Sequence, residues 1–369
     1  MEEIILVSSG YKLYCNWGNE TKYGSAAAIT QPFGLVQSVN PTEKNNLIKV
    51  RTIGGTRDFN NIVAGKFEVT GSIDYYLQGG AFLRQAIGED TATTTAVDSG
   101  PKIHSGASYL HIMGSAASPG MNSFPSFTLE VADSEDTGAY STTANIKRKF
   151  NGCRVNTCKL SGAVDTPISV SVDWQAQGVT ISTAAATSVV AQTVDPYVFY
   201  QGVVYSTTGT IGAYTAIGTT NRIAEVNSFD LSINNNLEPV WYISGTTNVY
   251  QTKRGLKSLN VKGREYDCNL DLHFKNKTMY ERFLGAVGAT TPQDTLAGTN
   301  VVLDFVRTGN APGGVKAATD DRMRIILNGC KFNDINLTGG PEDIVGQKLS
   351  VFVTSAKWEF VDADSNYKL

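Results

Sequence analysis

The stretch NGCRVNTCKLSG at 151–162 returns as NGCKFNDINLTG at 328–339. Asn, Gly and Cys open both copies. A second Asn follows the Cys by three residues, then Leu and Gly close the pattern, each 177 positions after its first appearance. The repeat extends upstream. FTLEV (127–131) and VVLDF (301–305) both alternate apolar with polar residues and align Glu130 with Asp304 in fourth place. SIDYYL (72–77) and NLDLHF (269–274) align Asp74 with Asp271. Each is followed by a short helical pattern ending in glycine, GGAFLRQAIG (79–88) and KTMYERFLG (277–285). Phe82, Leu83, Ala86 and Ile87 predict one apolar helix face. Met279, Tyr280, Phe283 and Leu284 predict its counterpart, with Gly88 and Gly285 as stops.

Downstream, PISVSVDW (167–174) and KLSVFVTS (348–355) carry the period of two of half-buried strands. Before each repeat stands a further extended pair: FGLVQSVN with NLIKVRTIGG, and NSFDLSIN with EPVWYISG, then LKSLNVKG. Strands joined by one short helix, twice over, predict a mainly β chain of two tandem domains. The boundaries are 1–185, with a Thr/Ser/Ala/Gly-rich insert at about 89–126, and 197–369. Residues 186–196 are read as the linker, because no Lys or Arg occurs from Leu160 to Asn221 and STAAATSVVAQTVDP (182–196) is small and polar. NPTEKNN (40–46) and TGNAPGGVKAATDD (308–321) read as exposed tips or loops.

The bulk numbers agree with that plan. A chain of 369 residues is long for one core and comfortable for two. Charged residues are 18%, and 31 Lys and Arg nearly balance 34 Asp and Glu. Without a basic stripe, tight binding to nucleic acid by counterion release has little to work with. Five cysteines form no CxxC pair, which fits a reducing compartment rather than a disulfide framework. No secretory signal and no apolar run of ~18–20 residues appears, so a soluble protein without membrane contact is expected.

Chemistry is sparse. His104, His111 and His273 lack metal-site spacing, and His104 and His111 read as solvated insert residues. VAGKF (63–67) has no P-loop glycine at position 60 and no Ser or Thr after Lys66. GTIGAYTAIG (209–218) lacks GxGxxG spacing and reads as a loop, and GxSxG is missing. Cys153 and Cys330 read as small buried hydrophobes, since no histidine is paired locally with either. No catalytic, cofactor-binding or metal residue is assigned, and no enzyme is expected. A two-domain β-sandwich serving in binding, capsid decoration or adhesion is the alternative, and a carbohydrate-active enzyme would need paired acids at a cleft.

ETKYGSAA (20–27), PFGLVQSVNPTEKNNLIKVRTIGG (32–55), IVAGKFEVTGSIDYYL (62–77) and NGCRVNTCKLSG resemble the tail tube proteins of phages and archaeal viruses. SFDLSINNNLEPVW (228–241) and REYDCNLDLHFKNKTMYERFLG (264–285) carry a weaker echo. The resemblance implies two tail-tube-type β-sandwich or split-barrel domains, each with one short helix. It further implies a major tail tube subunit of the virion, assembled in the host cytoplasm, whose rings stack into a tube conducting double-stranded DNA without tight binding. Doubled domains imply homotrimeric pseudo-hexameric rings, with a hexamer as alternative. The implied partners are a tape measure protein, a tail terminator and baseplate or tip proteins. Glu68, Asp74, Glu130, Asp271 and Asp304 are the expected channel-facing acids. Lys49, Arg51 and Arg57 in one hairpin, and Lys253, Arg254 and Lys257 in the other, are the expected contacts between rings.

Overall fold

The computed structural model describes residues 13–362 apart from 54–56, 89–95, 99–107, 115–123, 134–142, 185, 190–193, 210, 212–216, 218–220, 224–225, 243–252, 308–320 and 341–343. The segment 308–320 and most of 209–218, both read as loops, therefore lie outside the described residues, as does His104.

The N-terminal half begins with β1 (Leu13–Asn19), β2 (Gln31–Pro32) and β3 (Leu35–Lys44). An arm of β4 (Ile48–Val50) and β5 (Asn61–Val63) leads to β6 (Glu68–Tyr76) and helix α1 (Leu83–Ile87). The insert supplies β7 (Ala96–Asp98) and β8 (Ser108–Met113). Then come β9 (Phe127–Asp133), β10 (Thr143–Ala163), β11 (Ser169–Ala176) and β12 (Gly178–Ala184). The C-terminal half runs through β13 (Gly202–Thr207), β14 (Arg222–Ile223) and β15 (Val226–Asn234). Its arm is β16 (Leu237–Val240) with β17 (Ser258–Val261), followed by β18 (Glu265–His273) and α2 (Thr278–Leu284). It closes with β19 (Thr299–Arg307), β20 (Asp321–Thr338), β21 (Gly346–Phe352) and β22 (Ser355–Asp362).

The repeated NGC motif is a corner. Before it, β10 pairs with β9 and β12; after it, with β11 and β15. β20 likewise leaves β19 and β22 for β21. At the corner Gly152 has φ 64° and Gly329 φ 61°, a left-handed conformation that side chains with a Cβ avoid. The Cys thiol donates back across the bend, Cys153 to Phe150 O at 3.6 Å and Cys330 to Leu327 O at 3.2 Å. One long strand can thus serve two sheets that pack on each other.

One wide antiparallel sheet runs β3-β6-β11-β10-β15-β18-β21-β20, four strands from each half. Two smaller sheets cover one of its faces. They are β2-β1-β9-β10-β12 and β14-β13-β19-β20-β22-β8-β7. The insert thus crosses over: its β8 pairs with β22 of the other half. His111 on β8 is buried with Nε2 3.9 Å from Asp362, and is not a solvated loop residue. Between the layers a single buried cluster extends from Trp17 through Phe150 and Trp174 to Trp358 and Phe360, so the two halves share one core.

The pairings repeat at fixed intervals. Asn151 opposite Gly178 becomes Asn328 opposite Ser355, and Thr157 opposite Asp173 becomes Asp334 opposite Ser350, all 177 positions later. Ser38 opposite Asp74 becomes Ser228 opposite Asp271, and both β3 and β15 bulge one residue before that serine. Asn46 and Asn236, at φ 44° and 48°, turn both halves into their arms. Two sequence alignments need correcting. Leu129 corresponds to Val301, each pairing just before its corner, with Phe150 and Leu327, so Glu130 matches Val302 and the acids are two residues out of step. Val172 corresponds to Leu349, so KLSVFVTS lies four residues beyond the true counterpart of PISVSVDW. Period-two strands tolerate such slips without changing face.

The helices are shorter than their sequence patterns. α1 buries Leu83, Ala86 and Ile87, with Phe82 just ahead of it, as the pattern predicts. In α2 only Glu281 is largely covered, bonded to Lys277 at 2.8 Å and to Gly288 N at 2.9 Å, while Met279 and Phe283 are half-buried. NPTEKNN is largely the end of β3 rather than a tip. Residues read as linker are strapped down. Thr187 donates to Glu130 through N at 2.6 Å and Oγ1 at 3.0 Å, and Arg307 donates to Asp195 O at 2.5 Å.

Candidate functional site

Alternation along the wide sheet sends Val170, Val172, Cys158 and Leu160 into the core and their neighbours to the opposite face. That second face is polar. Ser38, Asp74 and Ser171 stand abreast on β3, β6 and β11, and Ser228, Asp271 and Lys348 stand abreast on β15, β18 and β21. Ser38 Oγ donates to Asp74 at 2.5 Å, and Lys159 reaches Asp230 at 3.1 Å. Asp173, Asp267 and Asp334 add further acids to this face. Glu68 lies here too. Its carboxyl is held below the usual range first by the hydrogen bond from Lys66, with Asn46 Nδ2 donating at 2.8 Å.

Three of the five expected wall acids, Glu68, Asp74 and Asp271, share this face; the other two do not. Glu130 is buried, receives the Thr187 bonds and lies 3.7 Å from Lys147. Asp304 is fully buried against Arg322 at 3.2 Å and Arg324 at 2.9 Å. Both belong to the smaller sheets, on strands whose two faces are covered, so they cannot border water. Alternation in sequence shows which residues share a face but not whether another layer covers it.

The two halves meet where β10 pairs with β15, from Thr157 opposite Asn234 to Ala163 opposite Ser228. Beyond the paired strands the second half folds onto the first. Asn235 is buried. It donates from N to Asn156 O at 2.8 Å and from Nδ2 to Ala86 O and Val155 O, both at 3.0 Å. Leu237 N donates to Asn156 Oδ1 at 2.9 Å. The C-terminal arm then lies along the N-terminal half, with Arg154 donating to Leu259 O and Gln177 Nε2 to Lys257 O at 3.3 Å. The later Asn of the repeated motif thus receives the neighbouring half.

Both borders of the wide sheet lack a strand partner among the described residues: β3 pairs only with β6, and β20 beyond its corner only with β21. Near them lie exposed apolar side chains, Leu47, Ile48, Ile53 and Ile62 on the first arm and Leu337 and Tyr280 in the second half. Such a patch with open strand edges marks an interaction surface.

The expected ring-contact residues divide. Lys49 and Arg51 stand over the Phe59 ring at 4.9 and 4.3 Å, and Arg57 and Lys253 are exposed. Arg254 is instead tied to the base of the first arm, donating to Gly65 O at 2.6 Å and Asn45 Oδ1 at 2.9 Å, and Lys257 is buried. Arg254 joins the two arms of one chain and Lys257 O holds the second arm to Gln177 of the N-terminal half, roles that loop composition gave no means to foresee.

Among the described residues no three His, Cys, Asp or Glu side chains group as a metal site. His273 faces Asn227 at 3.4 Å in an open groove of about 300 Å³ with Arg222 and Arg282. Burial pushes the Cys158 and Cys330 thiols up to about 12, so neither forms a thiolate at neutral pH.

A comparison with curated proteins found no match. Residues 14–351 match the family described as phage tail tube protein.

Proposed function

Since the chain belongs to the phage tail tube protein family, we propose that it is the repeating subunit of a virion's tail tube, stacked as rings around a bore that conducts double-stranded DNA. The role is structural, and the family is not one of enzymes. The observation that carries this reading is the wide sheet, apolar on the covered face, polar on the other and, among the described residues, open at both borders. A sheet of that kind reaches a stable state by continuing into copies of itself until it closes.

Each chain offers eight strands, so three chains give roughly 24. At ~4.8 Å per strand and ~45° tilt, the circumference is about 160 Å and the backbone diameter about 50 Å. Side chains reduce the bore to about 40 Å, wide enough for a duplex of ~10 Å radius. Six chains would double the circumference and leave a bore of about 90 Å, far more than a duplex fills. Two equivalent modules, 1–185 and 197–369, thus make a pseudo-sixfold ring from a threefold one.

The polar face becomes the wall. Asp74, Asp271 and Glu68 face passing phosphates with few Lys or Arg to hold them, so DNA slides instead of binding. The exposed parts of the arms, with Lys49, Arg51, Arg57 and Lys253, contact the next ring. Tape measure, terminator and baseplate or tip proteins meet the inside and ends of the tube, which is assembled in the host cytoplasm.

Electron microscopy of the purified protein tests this directly. Rings or tubes with a bore near 40 Å are expected, and an isolated ring should weigh three times the 39.6 kDa chain. A protein that stays monomeric at every concentration and salt would overturn the reading.

A further inference from the structure

The chain already contains one finished copy of a joint whose second copy is left open. At the finished joint, between β10 and β15, Leu160 is fully buried; its counterpart Leu337, on β20, is 45% exposed. Leu259 of the second arm is fully buried, and its counterpart Ile62 on the first arm is 52% exposed. Leu83 of α1 is fully buried, and Tyr280 of α2 is 40% exposed. Asn235 is buried and satisfied at Asn156, whereas Asn45 and Asn333, which stand in their places, are exposed. In every pair the bare residue lies on one side or the other of the same missing contact.

We infer that the outer edge of β20, Lys331–Thr338, takes β3 and the β4–β5 arm of a second copy of this chain, in the register that β10 and β15 show within one chain. This rests on the tube reading and fixes where its subunits join. Thr157 opposite Asn234 then becomes Asp334 opposite Lys44 of the second copy. Lys159 opposite Ser232 becomes Asn336 opposite Thr42, and Ser161 opposite Asp230 becomes Thr338 opposite Asn40.

Three features of the chain suit that pairing. Asp334 and Lys44 are opposite charges on the polar face, in a pair whose side chains come close. Asn333 offers the carbonyl and side chain that Asn156 offers to Asn235 and Leu237; here they would meet Asn45 and Leu47. Ile62 of the second copy gains the cover that Leu259 has. One bond is lost. Val164 N donates to Asn227 O and Asn235 N to Asn156 O, so by alternation Leu231 points its N–H at β10. Pro41 stands where Leu231 stands and has no N–H. Proline on an open edge also discourages mispairing before assembly.

Alternation makes Thr42 and Asn336 a non-hydrogen-bonded pair, with Cα atoms ~4.5 Å apart, within disulfide reach. The test is the double variant Thr42→Cys with Asn336→Cys in the full chain, oxidised and run without reductant beside each single variant. Covalent multimers ending at a closed ring are expected from the double variant alone: the native thiols at Cys153, Cys158, Cys268 and Cys330 are buried, and Cys15, which is half-buried, is present in both single variants too. Rings or tubes in the microscope without this link would overturn the joint, meaning that another segment covers the edge, and leave the tube reading standing. Links without rings or tubes would support the joint and overturn the tube. Neither links nor assemblies would overturn both. A charge swap asks the same question without new thiols. Lys44→Asp or Asp334→Lys alone should raise the concentration needed for assembly several-fold, and the two together should restore it. Failure of the pair to restore assembly, with folded subunits, counts against the register.

Discussion

Leu259 and Ile62 hold the same position in the two arms and meet opposite fates. Leu259 is sealed against the N-terminal half, while Ile62 stands in solvent. The backbone does not explain this, since β16–β17 repeats the β4–β5 pairing, with Glu238 opposite Asn260 as Ile48 is opposite Val63. What differs is the neighbour: one arm finds a half of its own chain beneath it, and the other finds none among the described residues. Exposure of an apolar side chain is therefore a statement about missing company rather than about local structure. A second difference points the same way. The outer edge of β22 is covered by the insert strand β8, while among the described residues β12 has no such cover and exposes Ile181.

The two leucines of the repeated motif should show the largest contrast. Leu160→Ala should cost about 2–5 kcal/mol of folding stability, because it opens a cavity at the finished joint. Leu337→Ala should change the subunit's stability by less than about 1 kcal/mol and show its effect in assembly. Denaturant titration with sedimentation of the same samples reads both. Equal losses of stability would mean that the second border is closed within the chain. The arms repeat the contrast. Leu259→Ala should lower stability by about 2–4 kcal/mol, and Ile62→Ala should leave the melting point nearly unchanged while weakening assembly.

The corners should behave alike. An added Cβ at Gly152 would lie 2.7 Å from Gln177 Cβ, and at Gly329 2.7 Å from Thr354 Oγ1. With the left-handed backbone, Gly152→Ala and Gly329→Ala should each cost about 1–3 kcal/mol. A large inequality between them, read by thermal unfolding, would show that the two corners do different work. The smallest effect on folding belongs to the polar face. Asp74→Lys with Asp271→Lys should keep stability within about 0.5 kcal/mol, because both side chains are only half-buried, on the uncovered face of the sheet. Assembled particles should nonetheless release DNA more slowly, and unchanged release kinetics would remove these acids from the wall.

Much of the fold was legible because period-two strands and glycine stops are local signals. The order of the main strands, the two short helices and their glycine stops could all be read along the chain. The face shared by Asp74 and Asp271 followed from alternation alone. Glu130 and Asp304 obeyed the same alternation and yet are buried, because a strand's pattern does not say how many layers will stack on it. Arg254, Lys257 and Thr187 had the composition of loop and linker residues. Their partners, Asn45, Gln177 and Glu130, are distant in sequence, so no local pattern could announce the bonds.

The order of residues was enough to show that an NGC motif and the strand patterns around it recur in both halves; that each motif is a glycine corner is seen only in the folded chain. Hydrogen-bonded alternation and backbone sterics act over a few residues, and they leave their mark in the order of residues. Which copy of each contact is closed and which is left open follows from how the two halves pack. Burial depends on what arrives from elsewhere in space: the first half receives the second, while among the described residues no strand reaches the outer edges of β3 and β20.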